Sequence, residues 1–208
     1  MRRLFHQRYF PGYDPAAQVI MKKIVCIGDS NTYGYDPRSY LADRYAKNVR
    51  WTGLLKEAGF EVINLGMNGV CIPKDGKTLL PLLAQYEPYD LCVIMLGSND
   101  LLTGADAKET GQRMKAFLKD LADQNDRLLL VSPVPFRQGE WVSSEAQIRE
   151  SKRLAEEYRK IAGELGIRFA DAADWNVTLS YDGVHYLPEG HAAFAKGITI
   201  AINEMSCQ

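Results

Sequence analysis

One repeating pattern limits what this chain can fold into: short apolar runs alternate with longer segments of helical apolar spacing. The runs predicted to be strands are Ile24–Ile27, Val62–Leu65, Leu91–Leu96, Leu128–Val131 and Ile167–Ala170. Three of them, Ile24–Ile27, Leu91–Leu96 and Leu128–Val131, are apolar at every position, which is typical of strands covered on both faces. Because a helix separates one strand from the next, the strands are predicted to run parallel.

The segments between these runs are predicted to be helices. In one of them, Met114, Phe117, Leu118 and Leu121 fall on a single face. The predicted helices are Trp51–Ala58, Leu79–Tyr86, Ala107–Ala122, Glu145–Leu165 and Gly190–Met205. The sequence therefore predicts an α/β fold, a three-layer α/β/α sandwich around a parallel five-stranded sheet. No repeat or linker divides residues 22–208, which are predicted to form a single domain.

Residues 1–21 are predicted to be an N-terminal extension to this domain. The stretch begins with Arg2 and Arg3 but has no continuous apolar run, so it is a poor secretory signal. Met21, followed by two lysines and a strand, resembles the start of a cytosolic chain. The alternative is a native arm that packs its aromatic side chains on a neighbouring surface, and both interpretations stay open.

The charge balance excludes several classes of partner. The 208 residues contain 25 Lys and Arg against 26 Asp and Glu, a net charge of −1. A general nucleic-acid binder or a protein held on anionic membranes would show a basic excess. The apolar runs are also far shorter than the roughly 20 residues of a membrane span. The four cysteines form no CxxC pair. We therefore expect a cytoplasmic protein without a metal site, nucleic-acid partner or membrane partner.

Four polar or glycine-rich turns stand where strands should end or near the C-terminus. They are Gly28–Gly34 (GDSNTYG), Asn64–Gly69 (NLGMNG), Gly97–Asp100 (GSND) and Asp182–His185 (DGVH). Reactive residues of parallel α/β sheets collect at the carboxyl ends of the strands. The turns are therefore candidates for one shared site.

These turns contain the groups that nucleophilic catalysis needs. The Ser30 hydroxyl is a weak nucleophile until a base such as imidazole takes its proton. His185 has a carboxylate, Asp182, three residues before it, close enough for one local turn to orient the ring. The glycines and the Asn99 amide could stabilise an oxyanion. His191 begins the closing helix, where capping or packing explains it better.

Each turn also has a purely structural explanation. Ser30 could be a helix N-cap, and Asn99 or Asp100 could cap the next helix. The DGVH segment could be a hairpin turn with a surface histidine. Four such turns at the ends of one sheet, with complementary chemistry, favour a catalytic site over four coincidences.

Together the blocks GDSNTYG, NLGMNG, GSND and DGVH resemble the SGNH (GDSL) hydrolase family, from Lys22 to the end of the chain. IGDSNTYGYDP and the later RWTGLL are similar to its arylesterase and acyltransferase branch. The resemblance implies a flavodoxin-like fold and a serine esterase with no metal or organic cofactor. It implies the catalytic residues Ser30, Asp182 and His185, and an oxyanion hole formed by Ser30, Gly69 and Asn99.

The implied function is hydrolysis of small acyl or acetyl esters through an acyl-serine intermediate. An acyltransferase to alcohols is an alternative on the same site. A flavodoxin-like FMN-binding module is an alternative of another class, in which the turn after the first strand would hold a phosphate. That alternative leaves Asn99, Asp182 and His185 without a role. Tyr33, Tyr35 and Trp51 are candidate walls of the substrate pocket, with core packing as the alternative.

The chain departs from the family pattern after Gly69. Cys71 stands near the position where relatives often have a supporting threonine, and we expect it to act in packing. The stretch from Cys71 to Thr78 is also short for the arylesterase branch, which leaves substrate shape and homo-oligomer formation open. The loops Tyr35–Val49 and Phe136–Ser144 are polar or mixed, which favours small-molecule esters over long fatty chains.

Overall fold

Five parallel strands form one sheet in the order β2-β1-β3-β4-β5. The computed structural model describes residues 22–39, 41 and 43–205, so the predicted extension, residues 1–21, lies outside the described residues. The strands are β1 (Lys23–Gly28), β2 (Glu61–Gly66), β3 (Leu91–Met95), β4 (Leu128–Ser132) and β5 (Arg168–Asp171). Each contains most of one predicted run, and the three-layer α/β prediction is confirmed.

Seven helices connect or follow these strands in the described part of the chain. They are α1 (Ser30–Tyr33), α2 (Trp51–Glu57), α3 (Leu80–Ala84), α4 (Ser98–Leu102), α5 (Ala107–Ala122), α6 (Glu145–Leu165) and α7 (Pro188–Glu204). The sequence does not predict α1 and α4, because four or five residues are too few to show a helical period. Among the residues described, no helix has both the length and the apolarity to cross a bilayer.

Alternate residues of the central strands enter two separate cores. Val25 and Ile27 of β1 pack on the face that α5 and α6 cover. Ile24 and Cys26 pack on the opposite face, under α2 and α7. Because both faces of β1 are buried, every position from Ile24 to Ile27 is apolar, and the pattern in the sequence follows from the three-layer architecture.

The order of the strands places a crevice at the end of β1. This strand pairs with β2 on one side and with β3 on the other, so the chain leaves it in one direction and later returns on the other side. At such a switch point the connections diverge and leave space at the carboxyl ends of the strands. The turns after β1 and β3 are therefore neighbours.

A tyrosine from α6 fixes the turn after β3. The Tyr158 hydroxyl donates to the carbonyl of Leu96 at 2.9 Å. The next residue, Gly97, has φ +116°, and a Cβ there would lie 2.4 Å from the Tyr158 oxygen. Only glycine suits this position, and the arrangement directs α4 toward the crevice.

His191 is a core residue of α7. Its side chain is fully buried, and Nδ1 accepts a hydrogen bond from the Trp51 amide at 3.4 Å. The rings of Tyr45 and Tyr186 contact it edge-on, each at 5.3 Å between centroids. Burial, followed by the charge of Arg50, lowers the pKa of His191 to about 3. This histidine packs as a neutral ring.

The neutral state of His191 predicts a loss of stability in acid. The unfolded chain takes up this proton below about pH 6.5, whereas the folded chain does not until about pH 3. The free energy of unfolding should therefore fall as the pH falls through this window. In His191→Gln the fall between pH 7 and pH 5 should be smaller by about 2 kcal/mol. Urea unfolding at a series of pH values measures both slopes, and equal slopes would contradict the assignment.

Candidate active site

Ser30 is the first residue after the turn that ends β1. Asp29 caps α1 by accepting a hydrogen bond from the Asn31 amide at 3.0 Å, and Gly34 ends the helix with φ +90°. The structural alternative of Ser30 as the N-cap is therefore wrong, because Asp29 has that role. The Ser30 hydroxyl instead forms a hydrogen bond of 2.9 Å with His185 Nε2.

The DGVH turn holds the histidine in one orientation. Asp182 Oδ1 accepts from the amides of Val184 and His185, both at 2.9 Å, and Oδ2 lies 2.8 Å from His185 Nδ1. An antiparallel bridge between Leu179 and Tyr186 closes the segment like a hairpin, as the structural alternative expected. The histidine is not on the surface, however, since only 2% of it is exposed.

Asn31 joins the turn after β1 to the DGVH turn. Its side-chain amide donates to the Val184 carbonyl at 3.2 Å, and its side-chain oxygen accepts from the Tyr186 amide at 3.1 Å. The Trp51 indole N–H donates to the backbone carbonyl of Asn31 at 3.0 Å. These bonds set the separation of Ser30 and His185. The local sequence does not predict this role, and its only signal is the position of Asn31 beside Ser30.

Two buried carboxyl groups near the histidine have opposite pKa shifts. For Asp182, burial opposes ionisation, but the hydrogen bonds from the His185 ring and from two amides together lower the pKa. For Asp29, burial dominates and raises the pKa. Asp182 is therefore the carboxylate suited to orienting an imidazole, while Asp29 caps a helix.

The two predicted oxyanion donors outside α1 are Gly69, in the loop after β2, and Asn99, in the first turn of α4. The Asn99 side-chain amide donates one hydrogen to the Val70 carbonyl at 2.9 Å, which joins the turn after β3 to the loop after β2. A primary amide has a second N–H, which that bond does not use. Gly69 has φ +70° and no atom within 4 Å of a Cβ built on it, so its surroundings are open.

Two aromatic rings flank the histidine. The Tyr35 ring lies 4.7 Å from that of His185, and the Trp141 ring lies 4.8 Å away, edge-on. Trp141 is 48% exposed, so much of its indole faces solvent. Its amide donates to the Asp182 carbonyl at 3.1 Å, which holds the loop against the DGVH turn. The sequence predicts only a polar or mixed loop around Trp141 and assigns the residue no role.

Other candidates lie in different surroundings. Trp51 is fully buried against Phe194 in the core, which fits the packing alternative. The Tyr33 ring stacks against Arg44, with the guanidinium carbon of Arg44 4.3 Å from the centre of the ring.

Asp100 does not face His185. It accepts hydrogen bonds from the Ile72 amide at 3.0 Å and from Arg113 at 2.9 Å. The free thiol of Cys71 is half-buried, and burial raises its pKa, with Asp100 adding to the effect. Within residues 22–39, 41 and 43–205, no three His, Cys, Asp or Glu side chains lie close enough together to hold a metal ion.

Comparison with known proteins identifies the family of the chain. Residues 26–193 match the GDSL-like Lipase/Acylhydrolase family. No curated protein matches the chain significantly. One solved structure is 31% identical, with a TM-score of 0.77, over 89% of this chain and 98% of the other.

Two similar solved structures have named activities. A carbohydrate acetylesterase family member from Sinorhizobium meliloti is 29% identical, with a TM-score of 0.75, over 89% of this chain and 99% of its own. The aryl esterase of M. smegmatis is 26% identical, with a TM-score of 0.75, over the same shares. With a family match over most of its length and a serine–histidine–aspartate arrangement at the switch point of its sheet, the chain belongs to the GDSL-like lipase and acylhydrolase family and is a carboxylic ester hydrolase.

Proposed function

We propose that this esterase hydrolyses small carboxylic esters through an acyl intermediate on Ser30. The observation that carries the proposal is the unbroken hydrogen-bonded series from Ser30 Oγ to His185 Nε2, at 2.9 Å, and from His185 Nδ1 to Asp182 Oδ2, at 2.8 Å. This series supplies a nucleophile, a base and an orienting carboxylate within direct reach of one another.

In the first half of the reaction, Ser30 Oγ attacks the ester carbonyl carbon while its proton passes to His185 Nε2. The carbonyl oxygen becomes an oxyanion in a tetrahedral intermediate. When this collapses, the bond to the alcohol oxygen breaks and His185 returns the proton to the leaving alcohol. Asp182 stays ionised and stabilises the imidazolium, in keeping with its lowered pKa.

In the second half, water replaces the alcohol. His185 takes a proton from the water, whose oxygen attacks the acyl carbon. When the second tetrahedral intermediate collapses, the bond from the acyl carbon to Ser30 Oγ breaks, His185 returns the proton to Ser30 Oγ, and the carboxylic acid leaves. The amides of Ser30 and Gly69 and the free N–H of Asn99 are the proposed donors to both oxyanions. The bond from Asn99 to Val70 supports this assignment, because it orients the amide before substrate arrives.

The surroundings of His185 favour an alcohol portion with a flat face. Trp141 and Tyr35 flank the ring that returns the proton to the leaving alcohol. Aromatic surfaces stack on aryl rings and cover the apolar faces of sugars. The named activities of the two similar structures, an aryl esterase and a carbohydrate acetylesterase, are consistent with both kinds of leaving group. We therefore propose as substrates acetyl or other short acyl esters whose alcohol portion is an aryl group or a sugar.

Replacing the nucleophile tests the proposal directly. Ser30→Ala should lower kcat for p-nitrophenyl acetate at least about 1,000-fold, because water would have to attack without covalent help. Ser144→Ala, at the exposed N-cap of α6, is the control and should retain full activity. Mass spectrometry of the acetyl-enzyme should locate the acyl group on Ser30. Wild-type activity in folded Ser30→Ala would refute the assignment.

The oxyanion role of Asn99 makes a second prediction. Asn99→Ala should lower kcat by about 100- to 1,000-fold with a smaller change in KM, since the donor acts mainly on the transition state. Asn68→Ala, an exposed neighbour of Gly69, should change kcat less than about twofold. Steady-state kinetics on both variants separates the effects. Equal losses in the two would indicate a disturbed loop rather than a missing donor.

Trp141 should contribute to binding of the leaving group. Trp141→Ala should raise KM for p-nitrophenyl acetate about fivefold, from the loss of roughly 1 kcal/mol of ring contact. Trp141→Phe should restore most of the affinity, and methyl acetate, which has no ring, should be affected less by either change. An equal rise in KM for both esters would contradict the assigned contact.

A further inference from the structure

A second concave site lies beside the edge strand β2. It is a cavity of about 400 Å³ bounded by β2, α2 and the loop that precedes α2. A cavity of this size accommodates a small organic ligand. None of Ser30, Asp182 and His185 lines it.

The lining of this cavity is strongly basic. Arg44, Lys47, Arg50 and Lys56 line it, and Glu57 is the one acidic residue among its lining residues. The chain as a whole has almost equal numbers of basic and acidic residues. Four cations to one anion is therefore a local concentration of positive charge, which favours an anionic ligand.

The burial of Arg50 distinguishes this site from a cluster of solvent-exposed lysines. Only 8% of Arg50 is exposed, and it is the one buried Lys or Arg side chain in the described ranges. Its Nε and Nη1 atoms have no hydrogen-bond partner. A buried guanidinium without a counter-ion is unfavourable unless another group satisfies it. An anion in the cavity that Arg50 lines would supply the missing partner.

A second guanidinium increases this deficit of negative charge. Arg44 lies over the Tyr33 ring and donates through Nε to the Tyr33 carbonyl. Burial, followed by the charge of Arg44, lowers the pKa of Arg50. Because both arginines line the same cavity, their charges repel each other, and an oxyanion that both could bind would relieve the repulsion.

The loop that carries these side chains is held rigidly. The Tyr45 amide donates to the Gly34 carbonyl at 2.8 Å, and the Arg50 amide donates to the Ala46 carbonyl at 3.2 Å. A Cβ on Gly53 of α2 would lie 1.7 Å from the Lys47 carbonyl oxygen, so the loop and the helix are in close backbone contact. The backbone that carries the cations is thus ordered before an anion binds, which lowers the entropic cost of binding.

We propose that this cavity binds a small oxyanion, of phosphate or carboxylate type, through Arg44 and Arg50 with Lys47 and Lys56 at its rim. The planar guanidinium groups match the oxygens of such anions, while the lysines add charge at longer range. The site is independent of ester hydrolysis at Ser30. Through this site the protein would bind an anionic group at a place separate from the catalytic crevice.

Titration calorimetry of the wild-type protein with inorganic phosphate, and separately with acetate, tests the proposal. We expect saturable binding of at least one anion, weakening as sodium chloride is raised. A stronger signal from phosphate would indicate a phosphate-bearing ligand, and a stronger signal from acetate a carboxylate-bearing one. No binding of either anion tighter than about 10 mM would overturn the proposal.

Charge-matched variants test the location. Lys47→Ala with Lys56→Ala, and separately Arg44→Gln, should each weaken binding about tenfold or more. The control is Lys108→Ala with Lys119→Ala, which removes the same charge from exposed positions of α5 on the opposite face of the sheet. An equal loss in this control would show a general charge effect and overturn the site. Thermal melting of each variant verifies that it is folded, and the readout does not depend on esterase activity.

Discussion

The burial of β1 and β3 on both faces is the constraint on which the rest of this molecule depends. Alternate side chains of β1 enter opposite cores, so the strand cannot be displaced from the middle of the sheet without exposing apolar surface on both sides. β1 is held between β2 and β3. The turns that follow β1 and β3 are therefore brought together at the one edge where the connections diverge, and the site is a consequence of how the cores are covered.

Contacts between distant segments then fix the positions of the side chains in the site. Asn31 holds the turn after β1 against a segment more than 150 residues later, with one amide acting as both donor and acceptor. One carboxylate oxygen of Asp182 orients the His185 imidazole, and the other accepts a hydrogen bond from a backbone amide of the same turn. The loop Phe136–Ser144, which contains Trp141, is joined to the same turn by backbone hydrogen bonds. A buried amide and carboxylate are favourable here because their polar atoms are paired, which makes the arrangement rigid as well as stable.

Much of this could be predicted from local pattern. The central strands β1, β3 and β4 were recognisable because burial on two faces gives continuous apolar runs, and α5 and α6 because 16 and 21 residues show a clear period. The short helices α1 and α4 could not be found in this way, and the structural alternative for the turn after β1 placed the cap of α1 at Ser30 instead of Asp29. Trp141 and Asn31 were also missed as neighbours of His185 and its turn, since nothing in their local sequence reports a partner on another loop.

The sequence by itself determined the layered α/β architecture, the four polar turns and the residue types that ester hydrolysis needs, because each is written in periodicity or in short motifs. Only the tertiary structure showed that the Asp182 carboxylate lies within reach of His185 Nδ1, while Asp100, the aspartate of the GSND block, pairs with Arg113 instead. It also decided that Arg50 is buried without a counter-ion beside Arg44, a relation that the near-neutral composition conceals. The physical reason is the same in both cases. Pairing and desolvation depend on distance in space, and a sequence orders residues only along the chain.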